Sequence, residues 1–175
     1  MLKKIVSILL VLTLILSIAA FVPAAAADDG LIAHWKLDSI ENGKVEDCSG
    51  NGFTGTFEGS EPEITDGVSG KAFKFGADKS PVVIQDSPSL KFSKSSSYTI
   101  SLWLRSDGIT GWESVIQKGR RSGSNNYGIW MIPSGKKIQY CIGNDRIGTE
   151  TMPTNEWIYY TVVQDGAKGT RTIYY

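Results

Sequence analysis

From Gly67 to Arg105 the chain breaks into short alternating segments separated by Gly, Pro and Ser turns, and it ends in Tyr98-Thr-Ile-Ser-Leu-Trp-Leu-Arg105. Residues two apart in an extended chain share a face, so Ile100, Leu102 and Leu104 point one way and Thr99, Ser101, Trp103 and Arg105 the other. Three branched aliphatics in step gain most by burial, so their face is expected to form the core between two sheets. After residue 27 no window sustains a helical period, whereas many alternate with period two. The expected class is therefore all-β. Strands are expected at Leu31–Lys36, Phe53–Phe57, Ala72–Phe75, Pro81–Ile84 and Tyr98–Arg105, then at Ser114–Lys118, Tyr127–Ile132, Lys137–Ile142, Trp157–Gln164 and Arg171–Tyr175. Ser49-Gly-Asn-Gly, Ser134-Gly and Asp165-Gly mark turns, being residues that accept positive φ at little cost. The stretch holding Asp145 and Glu150 reads as a loop.

Residues 1–27 have the layout of a secretory signal peptide: Lys3 and Lys4, an apolar run from Ile5 to Phe21, then Pro23 and small residues for cleavage. The run is near the lower limit for a spanning helix and has no basic flank after it, so the mature part is read as free of membrane spans and the protein as secreted or displayed at the cell surface. Removing these residues takes away two lysines and no acid, which leaves a slightly acidic domain at 28–175 and no electrostatic case for nucleic acid. Export permits a disulfide between Cys48 and Cys141, the only two cysteines. Paired, they would close a long loop worth about 4 kcal/mol on the chain-entropy account; unpaired, Cys141 is a small buried hydrophobe and Cys48 a turn residue. Arg171-Thr-Ile-Tyr-Tyr175 begins a strand where the sequence ends, so the sandwich is expected to be incomplete at its C-terminus, as in a fragment of a longer chain.

Four segments, in order, resemble the laminin-G-like jellyroll family, relatives of concanavalin A-type lectins, glucanases and pentraxins. Leu31-Ile-Ala-His-Trp-Lys-Leu-Asp38 is similar to its opening strand, and Asp47-Cys-Ser-Gly-Asn-Gly-Phe-Thr-Gly55 to its D-x-S-G-N-G-x-x-G turn. Gly70-Lys-Ala-Phe-Lys-Phe-Gly76 with Tyr98 to Arg105 resembles its paired central strands, and Asn155-Glu-Trp157 to Gly166 its W-x-x-V-x-V-x-x-D-G hairpin. The resemblance implies a two-sheet antiparallel jellyroll sandwich of the concanavalin A-like kind. Two positions depart from the pattern: Cys48 stands where Ser is usual, and Tyr159 where His is common.

Glycoside hydrolysis needs two carboxylates across a sugar ring, as in the E-x-D-x-E strand of related glucanases, and no window here has that pattern. The single histidine, His34, lacks the partners of a triad or lyase site and reads as a strand imidazole. The chain is therefore read as a non-enzyme. Related domains often carry a structural calcium, and Asp38, Asp47, Asn51 and Asp66 supply the hard oxygens it would need, although Asx residues beside Gly serve equally well to make turns.

Sugars stack their C–H faces on aromatic rings. Trp112 and Tyr127, at loop edges, are the candidate ligand-binding rings, joined by Arg105 and by Trp130, which alternates with Gly128 and Ile132 and could face either way. Trp35, Trp103 and Trp157 lie inside strand patterns and are expected in the core. The basic run Lys118-Gly-Arg-Arg121 could meet acidic glycans or simply be a solvated turn. The functional expectation is a non-catalytic recognition module for a polysaccharide or a cell-surface glycoconjugate. The alternatives are an adhesive domain contacting protein and a truncated glycosidase.

Overall fold

The computed structural model describes residues 30–119 and 127–175, apart from the side chains of residues 149 and 150. The signal-like segment and the Arg120–Arg121 pair lie outside the described residues. The chain runs through β1 (Lys44–Val45), β2 (Gly55–Thr56), β3 (Glu63–Asp66), β4 (Lys71–Lys74), β5 (Val83–Ile84) and a single 3-10 turn at Pro88–Leu90. It continues with β6 (Tyr98–Leu104), β7 (Glu113–Lys118), β8 (Tyr127–Ile132), β9 (Lys137–Ile142), β10 (Asp145–Thr151), β11 (Ile158–Asp165) and β12 (Thr170–Tyr174). Every pairing is antiparallel. The two largest sheets are a four-stranded meander in the order β10-β9-β8-β7 and a three-stranded sheet in the order β12-β11-β6. The arrangement is that of a concanavalin A-like jellyroll sandwich.

Alternation places the core. Ile129 of β8 and Ile138, Tyr140 and Ile142 of β9 meet Tyr98 and Leu104 of β6 and Tyr160 and Val162 of β11 in one buried cluster. Burying a large apolar side chain contributes about 1.5–3 kcal/mol, so this inner layer is the main source of cohesion between the sheets. Two of its phenols pair, the hydroxyls of Tyr98 and Tyr140 hydrogen-bonding across the sheets, while the Tyr160 hydroxyl is buried without a hydrogen-bond partner among the described residues. Phe92 stacks on Tyr98 with ring centroids 4.2 Å apart. At the open side the guanidinium of Arg171, on edge strand β12, donates to Asp145 Oδ2 on edge strand β10 at 2.8 Å, and Lys94 Nζ lies 2.8 Å from the same oxygen. This ion pair bridges the margins of the two sheets.

Several expectations need correcting. Leu31–Lys36 forms no strand. Its backbone is held instead by side chains of the 47–51 turn: His34 N–H donates to Asp47 Oδ1, the Ser49 hydroxyl to Ile32 O, and Asn51 Nδ2 to Leu31 O and Ile32 O. Asp145–Thr151 is a strand rather than a loop, because Gly143-Asn144 makes a tight two-residue hairpin that sets Ile142 opposite Asp145. Glu63–Asp66, unassigned in the sequence, pairs with β4. Gly166 is needed for close approach rather than positive φ: a Cβ there would lie 2.1 Å from Ser95 O.

No disulfide joins Cys48 and Cys141. Cys48 donates its N–H to His34 O in the 47–51 turn, while Cys141 sits on the outward face of β9 beside Trp130 and Ile132.

Asp47 anchors the N-terminal segment. Its buried carboxylate accepts from the N–H groups of His34, Ser49 and Phe53 and from the Ser49 hydroxyl, at 2.8–3.0 Å. Burial works to raise its pKa, and the hydrogen bonds from His34, Ser49 and Phe53 outweigh that and bring it below 3.8. A carboxyl with a depressed folded pKa contributes stability that is present above its unfolded pKa and is lost as pH falls through the folded one. Asp47→Asn is therefore expected to cost about 2 kcal/mol in urea unfolding at pH 7. The gap between wild type and variant should narrow below about pH 4; a gap independent of pH would refute the account.

Candidate functional site

On β6 and β11 the residues opposite the core point outward, and register sets them in pairs: Trp103 faces Tyr159, Ser101 faces Thr161, and Thr99 faces Val163. Trp103 is 49% and Tyr159 48% exposed, and their ring centroids are 5.0 Å apart at an interplanar angle of 44°. Cross-strand aromatic pairs support one another by about 0.2–1 kcal/mol, which holds the rings in place while leaving their outer surfaces accessible. Tyr174 on β12 is opposite Thr161 on the same face and is also exposed. The result is an aromatic platform bordered by small hydroxyl side chains.

Trp103 was expected in the core, and its exposure overturns that. The alternation that sends Ile100, Leu102 and Leu104 inward also sends Trp103 outward, so the signal was present in the strand phase. Tyr159, the departure from the family pattern, packs against Trp103. Trp35 is half-buried and its Nε1–H donates to Phe53 O at 2.7 Å.

The four residues expected to bind ligand do not share a site. Tyr127 is only 6% exposed; its ring packs on Phe92 with centroids 5.1 Å apart, and its hydroxyl donates to Leu90 O. Burial, reinforced by the neighbouring Tyr98, pushes its pKa up to about 12. Trp130 is also buried, on the outward face of the four-stranded sheet, where its ring lies across Gly128; a Cβ at Gly128 would come within 2.5 Å of it. Trp112 is half-exposed just ahead of β7. Arg105 alone adjoins the platform, one turn of alternation beyond Trp103, with its guanidinium 3.9 Å from Asp107.

The four oxygen residues considered for calcium do not fit one cage. Asp47 is committed to four donors, and Asn51 Nδ2 to two carbonyls. Asp38 accepts from Lys71 N–H, and Asp66 pairs with Lys71 Nζ at 2.8 Å. That bond and the charge of Lys71 lower the Asp66 pKa. Among the described residues no three His, Cys, Asp or Glu side chains gather as a metal site. Asp145, taken from its expected loop to β10, has its pKa lowered by hydrogen bonds from Lys94 and Arg171. Lys118, the described member of the basic run, pairs with Asp86.

A family model, the concanavalin A-like lectin/glucanases superfamily, matches residues 76–175, and the chain belongs to that superfamily. Neither a curated protein nor a solved structure matches it. A domain of this superfamily is compatible with a carbohydrate-binding or adhesive module. No helix among the described residues is long and apolar enough to cross a membrane.

The placements predict opposite effects for two rings. Tyr127→Ala should cost about 3 kcal/mol in chemical denaturation by opening the core. Trp103→Ala, at the surface, should change stability by about 0.5 kcal/mol or less. A large loss for Trp103→Ala would place its ring in the core after all.

Proposed function

We propose that this member of the concanavalin A-like lectin/glucanase superfamily is a secreted, non-catalytic recognition module that binds carbohydrate through the outer face of its three-stranded sheet. The observation that carries the reading is the half-exposed Trp103–Tyr159 pair, standing on rigid paired strands instead of a loop. Large rings left in water are an unfavourable arrangement that a ligand with an apolar face relieves. A pyranose offers such a face in its C–H groups, while its hydroxyls meet donors and acceptors around the rings. Ser101 and Thr161 lie directly beside the pair and supply hydroxyls that both donate and accept.

The strands give the site its precision. Seven paired positions join β6 to β11, from Ile158↔Leu104 to Gln164↔Tyr98, so the two rings are fixed by a continuous ladder. A preformed platform loses little conformational entropy on binding. The absence of a paired-acid strand pattern supports a binding role over hydrolysis.

The test is affinity electrophoresis of the folded chain through gels containing plant, algal, bacterial and animal polysaccharides. Retardation by at least one of them is expected, falling by about 10-fold or more in Trp103→Ala and Tyr159→Ala, as for central aromatic anchors. Retardation that survives in the double variant would move the site elsewhere, and its absence in every gel would reject the carbohydrate reading in favour of a protein partner.

A further inference from the structure

We infer that the platform takes an uncharged glycan chain, laid across the strands and long enough to reach from Trp103 to Tyr174; this rests on the carbohydrate reading of the same face. Ten outward positions are defined by register: 99, 101 and 103 on β6, 159, 161, 163 and 165 on β11, and 170, 172 and 174 on β12. Only Asp165, at the end of β11, is charged, and its charge is negative, in a chain where charged residues make up 21% of the sequence. Apart from the three rings, Val163 and Asp165 they are all Ser or Thr.

The charges that border this face are already engaged with one another. At one end Asp107 lies 3.9 Å from Arg105 and 3.4 Å from Lys74 Nζ. At the other, Asp165 lies 3.0 Å from Lys168 Nζ and also accepts from its N–H. A carboxylated or sulfated glycan is recognised by Arg or Lys donors aimed at the anion. Here, among the described residues of the face, such a ligand would meet a single cation, Arg105 at its margin, which already has Asp107 3.9 Å away. Ser and Thr hydroxyls instead act as donor and acceptor in turn, which matches neutral sugar hydroxyls.

The direction of the ligand follows from the register. Trp103 and Tyr159 are direct cross-strand neighbours, and Tyr174 stands opposite Thr161, two residues along from Tyr159. Diagonal neighbours on one face are about 7–8 Å apart, within reach of aromatic side chains. The rings therefore step across β6, β11 and β12, and a chain stacked on all three runs across the strands.

The test uses the full chain in affinity gels of matched neutral and acidic polymers, hydroxyethylcellulose, xyloglucan, glucomannan and laminarin against carboxymethylcellulose, pectate, alginate and heparin, at low and high salt. Retardation confined to neutral polymers and insensitive to salt is expected, reduced about 10-fold in Trp103→Ala and about 3- to 5-fold in Tyr174→Ala. Retardation confined to acidic polymers, relieved by salt and still lost in Trp103→Ala, would overturn the uncharged ligand while leaving the carbohydrate reading intact. Full retardation in Tyr174→Ala would overturn the reach across β12. No retardation by either set would overturn both the inference and the reading beneath it. Thermal unfolding of each variant separates lost binding from lost fold.

Discussion

Burial of the inward faces of β6 and β11 against those of β8 and β9 is the interaction on which everything else in this molecule depends. Tyr160, Val162, Ile129, Ile138 and Tyr140 are all essentially inaccessible, and each comes from a strand whose neighbours in sequence point away from the core. Because the side-chain period of a strand is two, fixing one face inside fixes the other outside, and a slip of one residue would exchange them. The exposure of Trp103 and Tyr159 is thus the counterpart of the burial of Leu104 and Tyr160. A platform built in this way is carried by the same strands that form the core beneath it.

The polar contacts have a different task, which is to connect parts that the apolar core does not reach. Asp47 joins the irregular segment around His34 to the turn at Ser49 and to Phe53, replacing a ladder of backbone bonds with one buried carboxylate. Asp145, Arg171 and Lys94 join the edges of the two main sheets. Inside the sandwich the Tyr98 and Tyr140 hydroxyls satisfy one another, so the core tolerates two phenols without orphaning either. The family's turn motif is read here as architecture: its acid accepts protein donors, and its amide closes onto carbonyls.

The candidate site differs from the usual picture of loops mounted on a scaffold. Its rings come from three paired strands, and most of the residues between them are small and hydroxylated. With its rings exposed among small hydroxyl side chains, the proposed face would make many weak contacts with a repeating polymer without enclosing any single unit. Ring exposure, not loop position, singles out the candidate: Tyr127 follows a loop in sequence, yet Phe92 and Leu90 hold it in the interior.

The sequence alone determined the all-β class, the long strands from Tyr98 onward and the inward phase of Ile100, Leu102 and Leu104, because each follows from local alternation that survives without knowledge of partners. It also carried the turn and hairpin motifs that mark the superfamily. It did not reveal that Leu31–Lys36 would be held by side chains, that β10 would continue the meander after Gly143-Asn144, or that Cys48 and Cys141 would form no disulfide, since these depend on which segments come together. Nor did it separate Trp103 from Trp130. Both sit in alternating strands, and only the packing of the sheets decided that one ring would be covered beside Ile132 and Cys141 while the other stayed open beside Tyr159. Periodicity assigns a side chain to a face of its strand, but whether that face meets protein or solvent is settled by the rest of the fold.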